Sequence, residues 1–208
     1  MLRLFEKLHE GETTFMKKLK FTFNAPVTLI FVIMCFGATL AGVMTSGSLT
    51  QKFFMTSHTA MSNPMTWLRM FTHVLGHSGW DHFIGNAMYL LLLGPMLEEK
   101  YGSKALLEVI VITAFITGLA NYLLFPATAL CGASGIVFAF ILLSSFTGFR
   151  DGEVPITFIL VAIIYIGQQV YDGLILTDNI SNSTHIIGGL VGAVCGFALN
   201  RKGYRRRK

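Results

Sequence analysis

Phe21–Gln51, FTFNAPVTLIFVIMCFGATLAGVMTSGSLTQ, contains no charged residue, and Val27–Thr45 within it approaches the roughly 20 apolar residues that a helix needs to cross a bilayer. Pro26 suits the first turn of that helix, where its missing N–H costs nothing. Further apolar segments follow at Phe83–Leu97, Ala105–Phe125, Ser134–Phe149, Val154–Tyr171 and Thr184–Leu199. The expected fold is therefore an all-α integral membrane protein, a bundle of six transmembrane helices. The composition agrees: 53% of the 208 residues are hydrophobic, only 13% are charged, and the mean hydropathy is +0.61. Eighteen Phe and twenty-one Gly fit a lipid-facing bundle.

No internal repeat or low-complexity linker divides the chain. The expected organisation is a cytoplasmic N-terminal segment at 1–20, a membrane domain at 21–200 and a basic cytoplasmic tail at 201–208. Glu6, Glu10 and Glu12 interrupt the basic N-terminus, unlike a cleaved signal, so the chain reads as mature protein. With six spans, all of the sixteen Lys and Arg except Lys52 and Arg69 fall on one side, and the positive-inside rule assigns both termini to the cytoplasm. The six cations after the last span read as an anchor at anionic headgroups, not as a nucleic-acid site. Cys35, Cys131 and Cys195 show no CxxC spacing and read as small buried hydrophobes.

Two features depart from a plain bundle. The second and sixth apolar segments are short for a crossing, which suggests helices that start below the surface. Phe125–Gly132, FPATALCG, leads into Ser134 with a Pro and a Gly that argue against helix. Non-helical backbone at membrane depth needs protein or a water-filled cavity to satisfy it, so Ser134 is expected at the floor of such a cavity. Between the first two spans, about Lys52–Asp81, the mixture of Phe53, Phe54, Met55, Trp67, Leu68, Met70 and Phe71 with polar residues reads as a partly embedded loop.

Polar groups inside a membrane are costly, so each is a functional candidate. Glu98, Glu99, Glu108, Asp151 and Asp172 sit at or near span ends, which leaves no chain of carboxylates for a proton-coupled transporter. His82 and Asn86 are four apart and share a helix face; both are uncharged donors suited to an oxyanion. Either alone reads as interhelical polar glue. His73 and His77 have a zinc-peptidase spacing, but Val74 stands where such enzymes place the catalytic Glu, so no metal is indicated and both read as structural donors that tie the loop to the mouth of the second span. Gly132-Ala133-Ser134-Gly135 sets a hydroxyl among small neighbours. His185 begins a helix with a Gly188, Gly192 and Gly196 stripe, which lets a neighbouring helix pack very close. If that neighbour is the fourth span, His185 reaches Ser134. With no acid obviously behind His185, a Ser-His dyad is the better reading than a triad.

Together these clusters resemble the rhomboid protease family, with its Gly-x-Ser-Gly motif on the fourth span, its His on the sixth and its His-x-x-x-x-His-x-x-x-Asn element, here His77, His82 and Asn86. Arg69, His73, and Glu98 with Gly102 match smaller signatures. The resemblance covers roughly Arg69–Gly196 and implies an intramembrane serine endopeptidase. In it Ser134 is the nucleophile, His185 the base, and Asn86, His82 and the Ser134 N–H the oxyanion donors. It implies no cofactor; the implied partners are the lipid bilayer and single-pass transmembrane substrates. The expected location is the bacterial plasma membrane. Two departures stand out: Leu68, not Trp, precedes Arg69, and Phe138 stands where the family often has a Tyr that stacks on the His. The reading from a different class is a non-catalytic rhomboid-like protein that binds membrane clients.

Overall fold

A computed structural model describes residues 22–147, 156–175 and 179–205. Among them are eight helices and no strand: α1 (Pro26–Met44), α2 (Ser48–Phe53), α3 (Pro64–Thr72), α4 (Trp80–Tyr101), α5 (Ser103–Leu124), α6 (Ser134–Ser144), α7 (Ile156–Ile175) and α8 (Asn179–Arg205). The expected segment at 1–20 lies outside the described residues. So do Arg150 and residues 206–208 of the expected tail, whose earlier part continues α8 without a break.

Among the described residues three stretches suffice by length and apolarity to cross a membrane: Pro26–Met44, Ser103–Leu124 and Asn182–Asn200. The second and sixth segments are longer than their apolar runs suggested, because α4 begins at Trp80 and α8 at Asn179. Both helices run past the residues that mark their apolar stretch, because backbone hydrogen bonding continues a helix regardless of side-chain hydropathy. The short helix is instead α6, whose 11 residues span only about 16 Å at 1.5 Å per residue, roughly half of a ~30 Å hydrocarbon core. Nor is the connection between the first two spans only a loop. Asn63 accepts from the Met65 N–H at 2.9 Å and Pro64 occupies the first turn, which starts α3. This helix buries Thr66 and Met70 and exposes Trp67, Leu68 and Phe71.

The bundle is inside-out in its polarity at many positions. Ile33, Met44, Met88, Leu92, Ile164 and Val194 are exposed, as lipid-facing side chains are, while the interior contains Asn86, Glu98, Thr113, Thr117 and Asn121 beside Leu90, Leu97, Leu106, Ile136, Phe140 and Leu143. Association of apolar helices in lipid depends on close packing and on such polar contacts, since the hydrophobic effect no longer separates inside from outside.

Two contacts set the frame. No side chain of its own caps α1. Instead the buried Glu98 carboxylate, from the end of α4, accepts from the Val27 and Thr28 N–H groups at 3.0 Å each and from Thr28 Oγ1 at 2.9 Å. These are N–H groups that no carbonyl within the helix can satisfy, and the positive end of the helix dipole faces the carboxylate. The second contact is the glycine stripe of α8. A methyl at Gly188 would lie 2.2 Å from the Gly135 carbonyl oxygen, and one at Gly192 2.1 Å from that of Ala139. The backbones of α6 and α8 therefore touch along their length, as the stripe predicted.

Gly192→Ala pushes a methyl into backbone that cannot turn aside, and is expected to cost about 1–3 kcal/mol. Gly196→Ala meets the Phe146 ring, a side chain able to rotate, and should cost less. Thermal unfolding in detergent ranks the two; the reverse order would contradict backbone contact as the reason for the stripe. In the same assay Glu98→Ala strands the two α1 N–H groups in apolar surroundings, with an expected loss of roughly 3 kcal/mol.

Candidate active site

The segment between α5 and α6 is non-helical, as Pro126 and Gly132 foretold, and several of its polar groups are bonded to backbone and side-chain groups from distant parts of the chain. Thr56 and Leu130 pair through their backbones, with the Thr56 N–H donating to the Leu130 carbonyl at 2.9 Å. Thr56 Oγ1 accepts from the Leu130 N–H at 2.8 Å and donates to Asn121 Oδ1 at 2.6 Å. The Gly132 N–H donates to the His73 carbonyl at 2.9 Å, and the Ala133 N–H to His77 Nε2 at 3.4 Å.

His73 and His77 thus do tie down a loop, but it is the one that ends on Ser134, and His77 serves it as an acceptor. Burial holds both rings well below the ordinary histidine range, at about 4, so both are neutral at pH 7. With Nε2 accepting, the His77 proton sits on Nδ1, where the Leu75 carbonyl accepts it at 3.1 Å. His73 is itself held at both nitrogens, by the Arg69 carbonyl at 3.2 Å and by Thr117 Oγ1 at 3.3 Å. Beyond that carbonyl, Arg69 takes no further part in this cluster. Its guanidinium donates to the Lys52 carbonyl at 2.9 Å and to Ser57 Oγ, which binds α3 to the segment before it.

Gly132 has φ of +124°, a conformation that side-chain-bearing residues rarely adopt. A methyl there would also strike His82, at 2.8 Å from Nε2 and 2.7 Å from Cε1, with Asn86 Nδ2 3.8 Å away. The two polar edges on α4 thus converge on the Gly132 α-carbon, two residues before Ser134. Asn86 is 7% exposed, and its Nδ2 has no hydrogen-bond partner. An unsatisfied buried amide costs about 1–3 kcal/mol, so a group kept this way calls for a reason.

Ser134 is the first residue of α6, half-buried, with its backbone N–H among those at the helix start that no intrahelical carbonyl can accept. Gly135 is fully buried against Thr117 on one side and Gly188 on the other. That contact sets the stretch of α8 around Gly188 beside the start of α6. The His185 ring, half-buried, packs on Phe138 with centroids 4.4 Å apart at a 47° tilt, a tilted contact rather than a parallel stack. Cys35 is buried, Cys131 and Cys195 are half-buried, and all three are free thiols. Among the described residues no group of three or more His, Cys, Asp or Glu is placed to hold a metal ion.

Sequence reasoning missed Thr56, Thr117 and Asn121. A lone Thr or Asn in an apolar helix has no distinguishing local pattern. A weak signal did exist, since an Asn in the middle of an apolar segment is expensive unless it is bonded.

A family model described as the Rhomboid domain matches residues 64–202. Rhomboid protease GlpG of Yersinia pestis (strain Pestoides F) is 23% identical over 176 residues, covering 83% of this chain and 62% of that protein. Its namesake from Enterobacter sp. (strain 638) is 29% identical over 134 residues, covering 62% of this chain and 48% of that protein. The chain therefore spans about half to three fifths of the length of these curated relatives. Since the family match runs from α3 into α8 and takes in Ser134, His185 and the loop between α5 and α6, the chain belongs to the rhomboid family.

Proposed function

We propose that the protein is an intramembrane serine endopeptidase that hydrolyses peptide bonds within or near transmembrane helices of its substrates. The observation that carries the reading is the convergence of two hydrogen-bond donors, one of them buried and unpartnered, on the backbone beside a serine at a helix N-terminus.

In this reading Ser134 attacks the scissile carbonyl while His185 takes the hydroxyl proton, which it later gives to the leaving amine. The negative charge that develops on the carbonyl oxygen is met by the Ser134 N–H, by His82 Nε2–H and by Asn86 Nδ2. Donors already aimed, and not bonded elsewhere, need no reorganisation when the charge appears. This gives the orphaned Asn86 amide its reason. Water then hydrolyses the acyl-enzyme with His185 again as base. Phe138 supports the imidazole by packing alone, since it has no hydroxyl to contribute. Gly132 keeps the approach to the donors open, while Gly135, Gly188 and Gly192 bring the helix of the base against that of the nucleophile.

The short α6 supports a nucleophile below the membrane surface. In this reading the protein is a bundle of six spans in the bacterial plasma membrane, and the distribution of Lys and Arg supports cytoplasmic termini. The names of the GlpG relatives, proteases of the same family, support the activity. Substrates in this reading are single-pass helices with a small residue at the cleaved bond. Because a helix hides its carbonyls in its own hydrogen bonds, weak helix formers should flank the site.

Purified protein in liposomes should cleave a model single-pass substrate, and Ser134→Ala and His185→Ala should each lower the rate by at least about 1,000-fold while thermal unfolding stays unchanged. Activity that survives Ser134→Ala points to another nucleophile. A wild type inactive on several substrates points to the non-catalytic, client-binding reading. Placing strong helix formers around the cleaved bond should slow cleavage, and indifference to them would contradict the local-unwinding requirement.

A further inference from the structure

An imidazole donates from Nε2 only in one of its two neutral tautomers, and nothing in the His82 side chain itself prefers that one. The surroundings of its other nitrogen must decide. Ser78, four residues earlier and just before the start of α4, supplies two groups there: its Oγ at 3.1 Å from His82 Nδ1 and its backbone N–H at 3.5 Å. A backbone N–H can only donate. Nδ1 is therefore the acceptor, the hydroxyl donates to it as well, and the ring proton is left on Nε2, the edge that faces Gly132.

We infer that Ser78 is a positioning residue that holds His82 in the Nε2–H tautomer, so that the ring offers a proton and not a lone pair to an oxyanion beside Ser134. The inference deepens, and rests on, the role given to His82 in the proposed protease.

The position of Ser78 makes the arrangement specific. Gly79 separates it from α4, so Ser78 lies outside the helix and no regular helical bond claims its backbone N–H. His77, its neighbour, is committed to the Leu75 carbonyl and the Ala133 N–H, and its ring meets that of His82 edge-on with centroids 5.0 Å apart. One side of His82 is thus set by His77 and the other by Ser78. Ser78 and His77 also line a cavity of about 390 Å³ with Ser46, Thr50 and Gln51, between α1 and α2. Water can donate to Nδ1 or accept from it. Without the Ser78 hydroxyl only the backbone N–H, at the longer 3.5 Å, still favours an unprotonated Nδ1, and water competes with it, so a graded loss is expected and not a complete one.

The test uses the full chain with ¹⁵N-labelled histidine, its His82 signals assigned by their loss in His82→Gln. In the wild type, Nδ1 should be unprotonated and Nε2 protonated. Ser78→Ala should populate both tautomers and lower kcat roughly 5-fold, the factor that one ordinary hydrogen bond is worth, with KM nearly unchanged. Ser78→Thr keeps the hydroxyl and should restore both the spectrum and kcat. A wild-type ring protonated on Nδ1, or a Ser78→Ala protein with unaltered tautomer and kcat, overturns the inference. Should the wild type cleave no substrate, the protease reading fails, while the spectra still decide whether Ser78 sets the ring.

Discussion

The structure depends on the contact between α6 and α8, in which Gly188 and Gly192 lie against the carbonyls of Gly135 and Ala139 with no room for a methyl group. In lipid, two apolar helices gain little by hiding from their surroundings, so what holds them is contact area and the close approach that small residues allow. The same contact has a chemical consequence. A wider separation at Gly188 would draw the His185 helix away from the start of α6, and Ser134 and His185 have no connection along the chain to compensate.

The other half of the site is built from satisfied polar groups. The loop from Phe125 to Ala133 runs without helix next to the short α6, and each of its anchored N–H groups has a partner brought from elsewhere: Thr56 for Leu130, the His73 carbonyl for Gly132, His77 for Ala133. Each partner is itself bonded, Thr56 to Asn121 and His73 to Thr117. A loop in water would satisfy these groups at no structural cost. Here the cost of leaving them bare makes the network rigid, and rigidity fixes the backbone on which His82 and Asn86 converge. Two buried amides nearby, Asn86 Nδ2 and Asn121 Nδ2, have no partner, and it is the Asn86 amide that lies beside Gly132.

Much of the architecture was legible in the chain. Charge-free runs located the membrane-length helices, Pro126 and Gly132 marked the break before Ser134, and the spacing of four among Gly188, Gly192 and Gly196 announced a helix packed at backbone distance. Helix ends were less legible. Trp80 to His82 and Asn179 to Ser183 look too polar to belong to spans, yet they extend α4 and α8, because a helix continues wherever its backbone bonds can form. The segment holding α3 read as a loop, since Asn63-Pro64 is a local capping signal that a hydropathy argument passes over.

The type of each chemical group, and the side of the bundle its helix face selects, follow from composition and periodicity, because these are properties of neighbours in the chain. Partnership does not. Thr28 and Glu98 are 70 residues apart, Thr56 and Asn121 65, Leu130 and Thr56 74, Ala133 and His77 56, and no local pattern in the chain couples them. Which histidine ties the loop and which faces it, and which amides are left without a partner, depend on distances that exist only once the helices have packed.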